Sequence, residues 1–232
     1  TGNNLPLGLT ATNLPPGLTF NPATGLITGT PTAAGTYRIL LSANNGIGTG
    51  YAILELTVLN TGSTIYREYW NGFTSIPTNS PTGTNTLTSL QGPTNAGDNF
   101  AARIRGWLTP QVTGNYRFWI SSDGPSEFWL STDGDAVNKV RRCTVTNATA
   151  ALDWNAEPNQ KSYLLRLQAG QPYYLEILHT ETTGNDHIAV GWAKPGESAP
   201  SEIVPGYVLS PYTPPTGQDG SNTLFEIGRA HV

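Results

Sequence analysis

The chain has 232 residues, with 12 Lys+Arg against 16 Asp+Glu for a formal charge of −4, and only 12% of its residues are charged. Its basic residues are scattered along the sequence with no basic stripe, which argues against a nucleic-acid partner, and no apolar run is long enough to span a bilayer, which argues against direct membrane insertion. Glycine at 26 positions and proline at 18, with Thr, Ser and Asn between short apolar runs, describe strands joined by turns rather than helices.

Residues 1–60 read as one unit. Asn21 to Gly25 ("NPATG") is a turn between "GLTF" and "LITG". In "TYRILLSA", Tyr37, Ile39 and Leu41 share one face. In "YAILELTV", Ala52, Leu54, Leu56 and Val58 share one face, with Tyr51, Glu55 and Thr57 opposite. Period two of this kind predicts a β-sandwich. Residues 61–64 read as a linker.

From Ile65 to residue 212 a second and larger all-β unit is predicted. Phe100, Ala102, Ile104 and Leu108 alternate with Ala101, Arg103, Arg105 and Trp107. Tyr116, Phe118 and Ile120 alternate with Arg117, Trp119 and Ser121. "EFWLS", "SYLLRL", "PYYLEILH" and "HIAVGWA" follow as further strands, separated by turn signals such as "VTGNY" and "LQAGQPYY". Residues 213–225 read as another linker. The end, Glu226 to Val232, fits no element and is expected to be a non-native tail translated from adapter sequence. The chain opens on Thr1 and carries no basic-then-apolar leader; it is read as a piece of a longer protein, so the missing leader says nothing about export. The single cysteine, Cys143, cannot form an internal disulfide and reads as a small strand residue.

The chemistry-bearing stretch is "ISSDGPSEFWLSTDGD", residues 120–135, which gathers Asp123, Glu127, Asp133 and Asp135 in a chain otherwise poor in charge. Asp133 and Asp135 flank Gly134, a pattern that serves a hairpin turn as readily as a metal ion. A glycosidase pair would need two carboxylates facing one another across a cleft. Asp123 and Glu127 are four residues apart across a Gly-Pro turn, so a solvated turn acid is the better reading of Glu127. His187 beside Asp186 lacks any marked serine to serve; it reads as a histidine bonded to backbone, and His179 reads as isolated. No Cys/His cluster, HExxH or Gly-rich phosphate loop is present, so the fragment is not expected to be an enzyme. Of the six tryptophans, Trp107, Trp119 and Trp129 lie opposite the more apolar alternation of their strands. Trp154, in "LDWNAEPNQ", is the one expected to be exposed and able to stack on a sugar.

Two resemblances attach to these patterns. "LPPGLTFNPATGLITGTPTAAGTY" and "ANNGIGTGYAILELTV" resemble the immunoglobulin-like domains of bacterial surface proteins, whose usual role is that of a spacer. The strand such domains carry ahead of "LPPGL" is expected to be missing or cut short here. "YREYWNGF", "GDNFAARIRGWLTPQVTGNYRFWISSDG", "SEFWLSTDGDAVNKV", "QKS", "LQAGQPYYLEILHTE" and "NDHIAVGW" together resemble the protective-antigen-type (PA-fourteen) domain of adhesins, toxins and glycosidases. That resemblance implies a β-sandwich that binds glycans, in several members through calcium held by two consecutive Asp. Asp123 matches the first of these; Gly124 stands where the second is expected, followed by Pro125. Asn185 and Asp186 match the loop ahead of the last strand.

The reading is therefore all-β, two sandwiches in tandem, with Asp123, Gly124, Asn185, Asp186 and Trp154 as ligand-binding candidates. Asp123, Asp133 and Asp135 are candidate ligands for calcium. The expected function is an extracellular or cell-surface glycan-binding module of a bacterial protein, joined to further domains. A structural spacer that has lost the calcium site and an accessory domain of a glycoside hydrolase are the alternatives.

Overall fold

The computed structural model describes residues 8–58 and 63–212; the segments expected as the second linker and the non-native tail lie outside them, as does part of the first linker. The chain divides into two compact units, Thr1–Thr61 and Gly62–Val232. Among the described residues both units are built from strands and short 3-10 turns, without an α-helix. Among the described residues no helix is long and apolar enough to cross a membrane.

In the first unit, β1 (Gly8–Thr12), β4 (Gly35–Asn44) and β5 (Thr49–Val58) form an antiparallel sheet in the order β1-β4-β5. A hairpin of β2 (Leu18–Asn21) and β3 (Leu26–Gly29) accompanies it. The strand ahead of "LPPGL" is five residues long and pairs with β4. The two faces read from the sequence meet across the register, where Tyr37 opposes Leu56, Ile39 opposes Leu54 and Leu41 opposes Ala52. Directly opposed residues lie on one side of a sheet, so the apolar sets reinforce each other. The turn between β2 and β3 is set by Asn21, whose Oδ1 accepts the Ala23 N–H at 2.9 Å, and by Gly25 in the left-handed region at φ +72°.

The second unit is a sandwich. Its larger sheet runs β11 (Lys139–Val145), β10 (Ser126–Ser131), β13 (Tyr173–Glu181), β8 (Phe100–Leu108), β6 (Ile65–Asn71), β7 (Gly83–Leu87), with β16 (Leu209–Pro211) also on β8. The smaller sheet runs β12 (Leu165–Leu167), β9 (Gly114–Ser122), β14 (Ile188–Ala193), β15 (Glu202–Ile203). Alternation sends Ile104, Leu108, Phe128, Leu130, Leu175 and Ile177 inward from one sheet, and Tyr116, Phe118, Ile120, Val190 and Trp192 from the other. Phe118 and Phe128 join the two layers with ring centroids 5.2 Å apart. Each such fully buried side chain contributes about 1.5–3 kcal/mol of transfer free energy. Trp119 points outward as its strand position predicts, yet it is buried. The segment Pro158–Ser162 runs beside β9, bonded through Ser162 N–H to the Phe118 carbonyl at 2.9 Å, and brings the Lys161 ammonium to 5.5 Å from the Trp119 ring.

Candidate functional site

The apolar core gives way to polar residues at one end of the sandwich. On β13 the inward positions run Tyr173, Leu175, Ile177, His179, Glu181, so strand alternation carries a histidine and a glutamate to the end of the core. Ser126 lies opposite His179 in the register with β10, and Ser122 follows Ile120 as the next inward position of β9. The Ser122 hydroxyl donates to the Gly124 carbonyl at 2.7 Å and lies 2.6 Å from the Ser126 hydroxyl, fixing the turn between β9 and β10. Thr180 N–H donates to the Pro125 carbonyl at 3.1 Å and clamps that turn to β13. All described peptide bonds, Gly124-Pro125 included, are trans.

Asp123 stands on this turn. Its Oδ1 accepts the His187 N–H at 2.9 Å, lies 3.4 Å from His179 Nε2 and 4.0 Å from His187 Nδ1. Glu181 completes the group: one ligand atom each from Asp123, His179 and Glu181 lie within 4.8 Å of one another. Burial alone would raise the Asp123 carboxyl, but the His179 imidazole and the His187 N–H outweigh it and hold the group below the usual carboxylate range. Burial, and then the neighbouring Asp123 carboxylate, push Glu181 up to about 7. The corner thus joins a carboxylate that stays ionised to one that exchanges its proton near neutrality.

The loops around it are stitched together. Asp186 is buried; its Oδ2 accepts the Gly97 N–H at 2.8 Å and its carbonyl the Asn95 N–H at 3.2 Å. Asp98 Oδ1 accepts the Gly184 N–H at 3.2 Å. Asn185 is exposed on the same loop. Residues 93–99, 123–125 and 182–187 therefore converge, which unites Asp123, Gly124, Asn185 and Asp186 at one end of the sandwich.

Other candidates lie elsewhere. Asp133 Oδ1 accepts the Asp135 N–H at 2.8 Å and its Oδ2 the Asn138 amide at 2.8 Å, while Asp135 caps the 3-10 turn Ala136–Asn138 through the Val137 N–H at 3.0 Å. These carboxylates follow β10 whereas Asp123 precedes it, and six residues at about 3.3 Å each put about 20 Å between them, too far to share an ion. Trp154 is half-buried on the outer face of the smaller sheet, where its ring would lie 3.2 Å from a Cβ at Gly191. Glu127 is taken by Arg141 Nη1 at 2.6 Å and by the Trp129 indole N–H at 3.0 Å. His179, read from the sequence as isolated, sits against Asp123 instead, because β13 ends where the β9–β10 turn closes over it. His179 and Glu181 were legible only by extending the alternation of Tyr173, Leu175 and Ile177 two steps further. Burial pushes the Cys143 thiol up, and its Sγ lies 3.3 Å from the Phe118 carbonyl, so the cysteine is an inert core residue.

The basic residues that look scattered in the sequence partly regroup in the fold. Arg117, Arg141, Arg142 and Lys161 line a cleft of about 500 Å³ beside the exposed Tyr163.

Calcium, the ion the resemblance implies, takes six to eight oxygen ligands. At this corner Gly124 withholds the second carboxylate, and the buried His179 offers imidazole nitrogen. A Cβ at Gly124 would overlap the Thr180 carbonyl oxygen, so this turn has no room for the missing Asp either. The residues do not match an all-oxygen cage.

Comparison with known proteins places these observations. The chain is 35% identical over 120 residues to the mouse N-acetyl-beta-glucosaminyl-glycoprotein 4-beta-N-acetylgalactosaminyltransferase 1, covering 50% of this chain and 12% of that protein. It is 35% identical over 94 residues to mouse fibrocystin-L, covering 40% of this chain and 2% of the relative. The chain therefore spans only a small part of the curated relatives it matches. Among solved structures it is similar to a PA14 sugar-binding domain from an RTX adhesin, with TM-score 0.49 and 12% identity over 65% of this chain and 99% of that one. It is also similar to the epithelial adhesin 9 A domain of Candida glabrata in complex with Galb1-4GlcNAc, with TM-score 0.49 and 12% identity over 64% and 89% of the two chains. An Ig-domain family model matches residues 1–59. The PA14 domain model matches residues 59–204, well over half of the chain, and the chain belongs to the PA14 domain family.

Proposed function

We propose that this chain is a non-catalytic glycan-recognition module in which the sugar docks at the end of the sandwich where Asp123, Asn185 and the loops 93–99 and 182–187 meet. The observation that carries the reading is the convergence itself: in a PA14 domain, three loops far apart in sequence are bonded together around a half-buried carboxylate that stays ionised. A carboxylate on one loop and an exposed amide on the adjoining one accept from and donate to the hydroxyls of a sugar ring. The first unit serves as a spacer, and the protein works outside the cell. The loss of a second carboxylate at Gly124 favours recognition through hydrogen bonds over calcium bridging, and it is also the observation that favours a purely structural module.

A glycan-array screen of the whole chain in millimolar Ca²⁺, repeated in chelator, separates these readings. Sugar binding in both conditions is expected. Binding that vanishes with chelator and returns on adding back Ca²⁺ alone would restore calcium to the mechanism. Silence from folded protein in both would establish the structural reading.

A further inference from the structure

We propose that Asp123, His179 and Glu181 form a binding site for a borderline divalent cation of the zinc class. This rests on the buried corner alone and stands or falls independently of glycan binding.

The first argument is unmet polarity. His179 and Glu181 are 3% and 2% exposed, yet Nδ1 of His179 and Oε2 of Glu181 make no hydrogen bond, and Nε2 of His179 has only the long 3.4 Å approach to Asp123 Oδ1. Leaving a buried polar atom unpaired costs about 1–3 kcal/mol each, more for a charged one. Of these, His179 Nε2 lies 3.4 Å from Asp123 Oδ1 and Glu181 Oε2 lies beside Gly124, and two such atoms from neighbouring residues at the Asp123 carboxylate call for a shared partner. A cation is the partner that satisfies nitrogen and carboxylate together. The buried guanidinium of Arg67 meets the Asn85 side chain and the faces of Tyr69 and Phe100 and is coupled electrostatically to Asp186, so it offsets that carboxylate and leaves the His179 and Glu181 atoms unserved.

The second argument is spacing. Zinc bonds to nitrogen and oxygen are about 2.0–2.2 Å, which in a tetrahedral shell sets neighbouring ligand atoms about 3.3–3.5 Å apart. Asp123 Oδ1 and His179 Nε2 are 3.4 Å apart, and the third ligand atom lies within 4.8 Å of both. Spacing would suit calcium as well; the imidazole decides, because it favours zinc, copper, iron or nickel over a hard cation. The third argument is room. Glu181 Oε2 lies 3.0 Å from where a Cβ on Gly124 would stand. The glycine leaves space for a carboxylate delivered from β13, which takes the place of the one the β9–β10 turn does not supply. Three protein ligands leave a fourth position on the side of Asp123, the most exposed of the three.

The test uses the whole chain, stripped with chelator and dialysed against micromolar ZnCl₂ in millimolar CaCl₂, with bound metal measured by mass spectrometry. About one zinc per chain is expected. His179→Gln and Glu181→Gln should each weaken zinc binding at least tenfold. Cobalt(II) added to the stripped wild-type chain gives a second reading that does not depend on variants folding: an intense visible band of a four- or five-coordinate site is expected. No uptake by folded protein, displacement of zinc by calcium, a weak octahedral cobalt spectrum, or unchanged binding in folded His179→Gln would each overturn the site.

Discussion

Restoring the carboxylate that Gly124 lacks should damage the protein. Gly124 has no positive φ; what demands glycine is close approach, since a Cβ would overlap the Thr180 carbonyl oxygen. The turn cannot swing away, because the Pro125 carbonyl is held by Thr180 N–H at 3.1 Å and Asp123 by the His187 N–H at 2.9 Å. Overpacking of this kind costs about 1–3 kcal/mol, and losing one clamping hydrogen bond adds about 1 kcal/mol, so Gly124→Ala should cost about 2–4 kcal/mol. Gly124→Asp should cost about 2 kcal/mol more, because it adds an unpaired carboxylate beside Asp123 and Glu181. The assay is urea unfolding followed by tryptophan fluorescence. All six tryptophans lie between Trp70 and Trp192, so the signal reports the second unit alone. With a slope of about 2 kcal/mol per molar urea, Gly124→Ala should lower the midpoint by about 1–2 M at unchanged slope. A Gly124→Asp chain as stable as wild type, binding calcium stoichiometrically, would refute the reasoning.

Phe128→Ala removes the ring that packs on Phe118 between the sheets and should cost about 3–5 kcal/mol in the same unfolding assay. Glu157→Gln should cost about 1 kcal/mol, since the Glu157 carboxylate accepts the Thr146 and Asn147 N–H groups at 2.8 Å each. The Thr146 N–H, ahead of the Asn147 bonds, holds the folded Glu157 below its ordinary 4.5. Its contribution is therefore complete above 4.5 and disappears as pH falls through the folded value, so the stabilities of wild type and Glu157→Gln should converge in acid. Cys143 should resist a thiol reagent in the folded chain and react fully in denaturant; rapid labelling of native protein would contradict its burial.

Much of the fold was legible because each strand declares its inward face by period two. Phe118 and Ile120, or Ile104 and Leu108, are core residues for the same reason they alternate with Trp119 or Trp107. Trp119 shows the limit of that rule: its position says outward, but the long β11–β12 connection covers it, and nothing in the alternation of β9 tells what a distant segment will lie upon. The candidate corner divides in the same way. Asp123 stands out as a lone acid in a Gly-Pro turn, and Asp186 as a loop acid ahead of a strand. His179 and Glu181 look like the fraying end of β13, and only the sheet order, with β10 beside β13, brings them to Asp123 across more than fifty residues. Asp133 and Asp135 attract attention by proximity in sequence, but an extended strand carries them away from Asp123.

The central claim is that the corner built on Asp123 is where sugar binds. The most direct measurement is a glycan array probed in parallel with the wild-type chain, with Asp123→Asn, which keeps the side chain's shape but removes its charge, and with Glu127→Gln, whose partner is Arg141 on the outer face. The account predicts signals for wild type and Glu127→Gln on the same glycans, and their loss in folded Asp123→Asn. Equal binding by all three chains would contradict it.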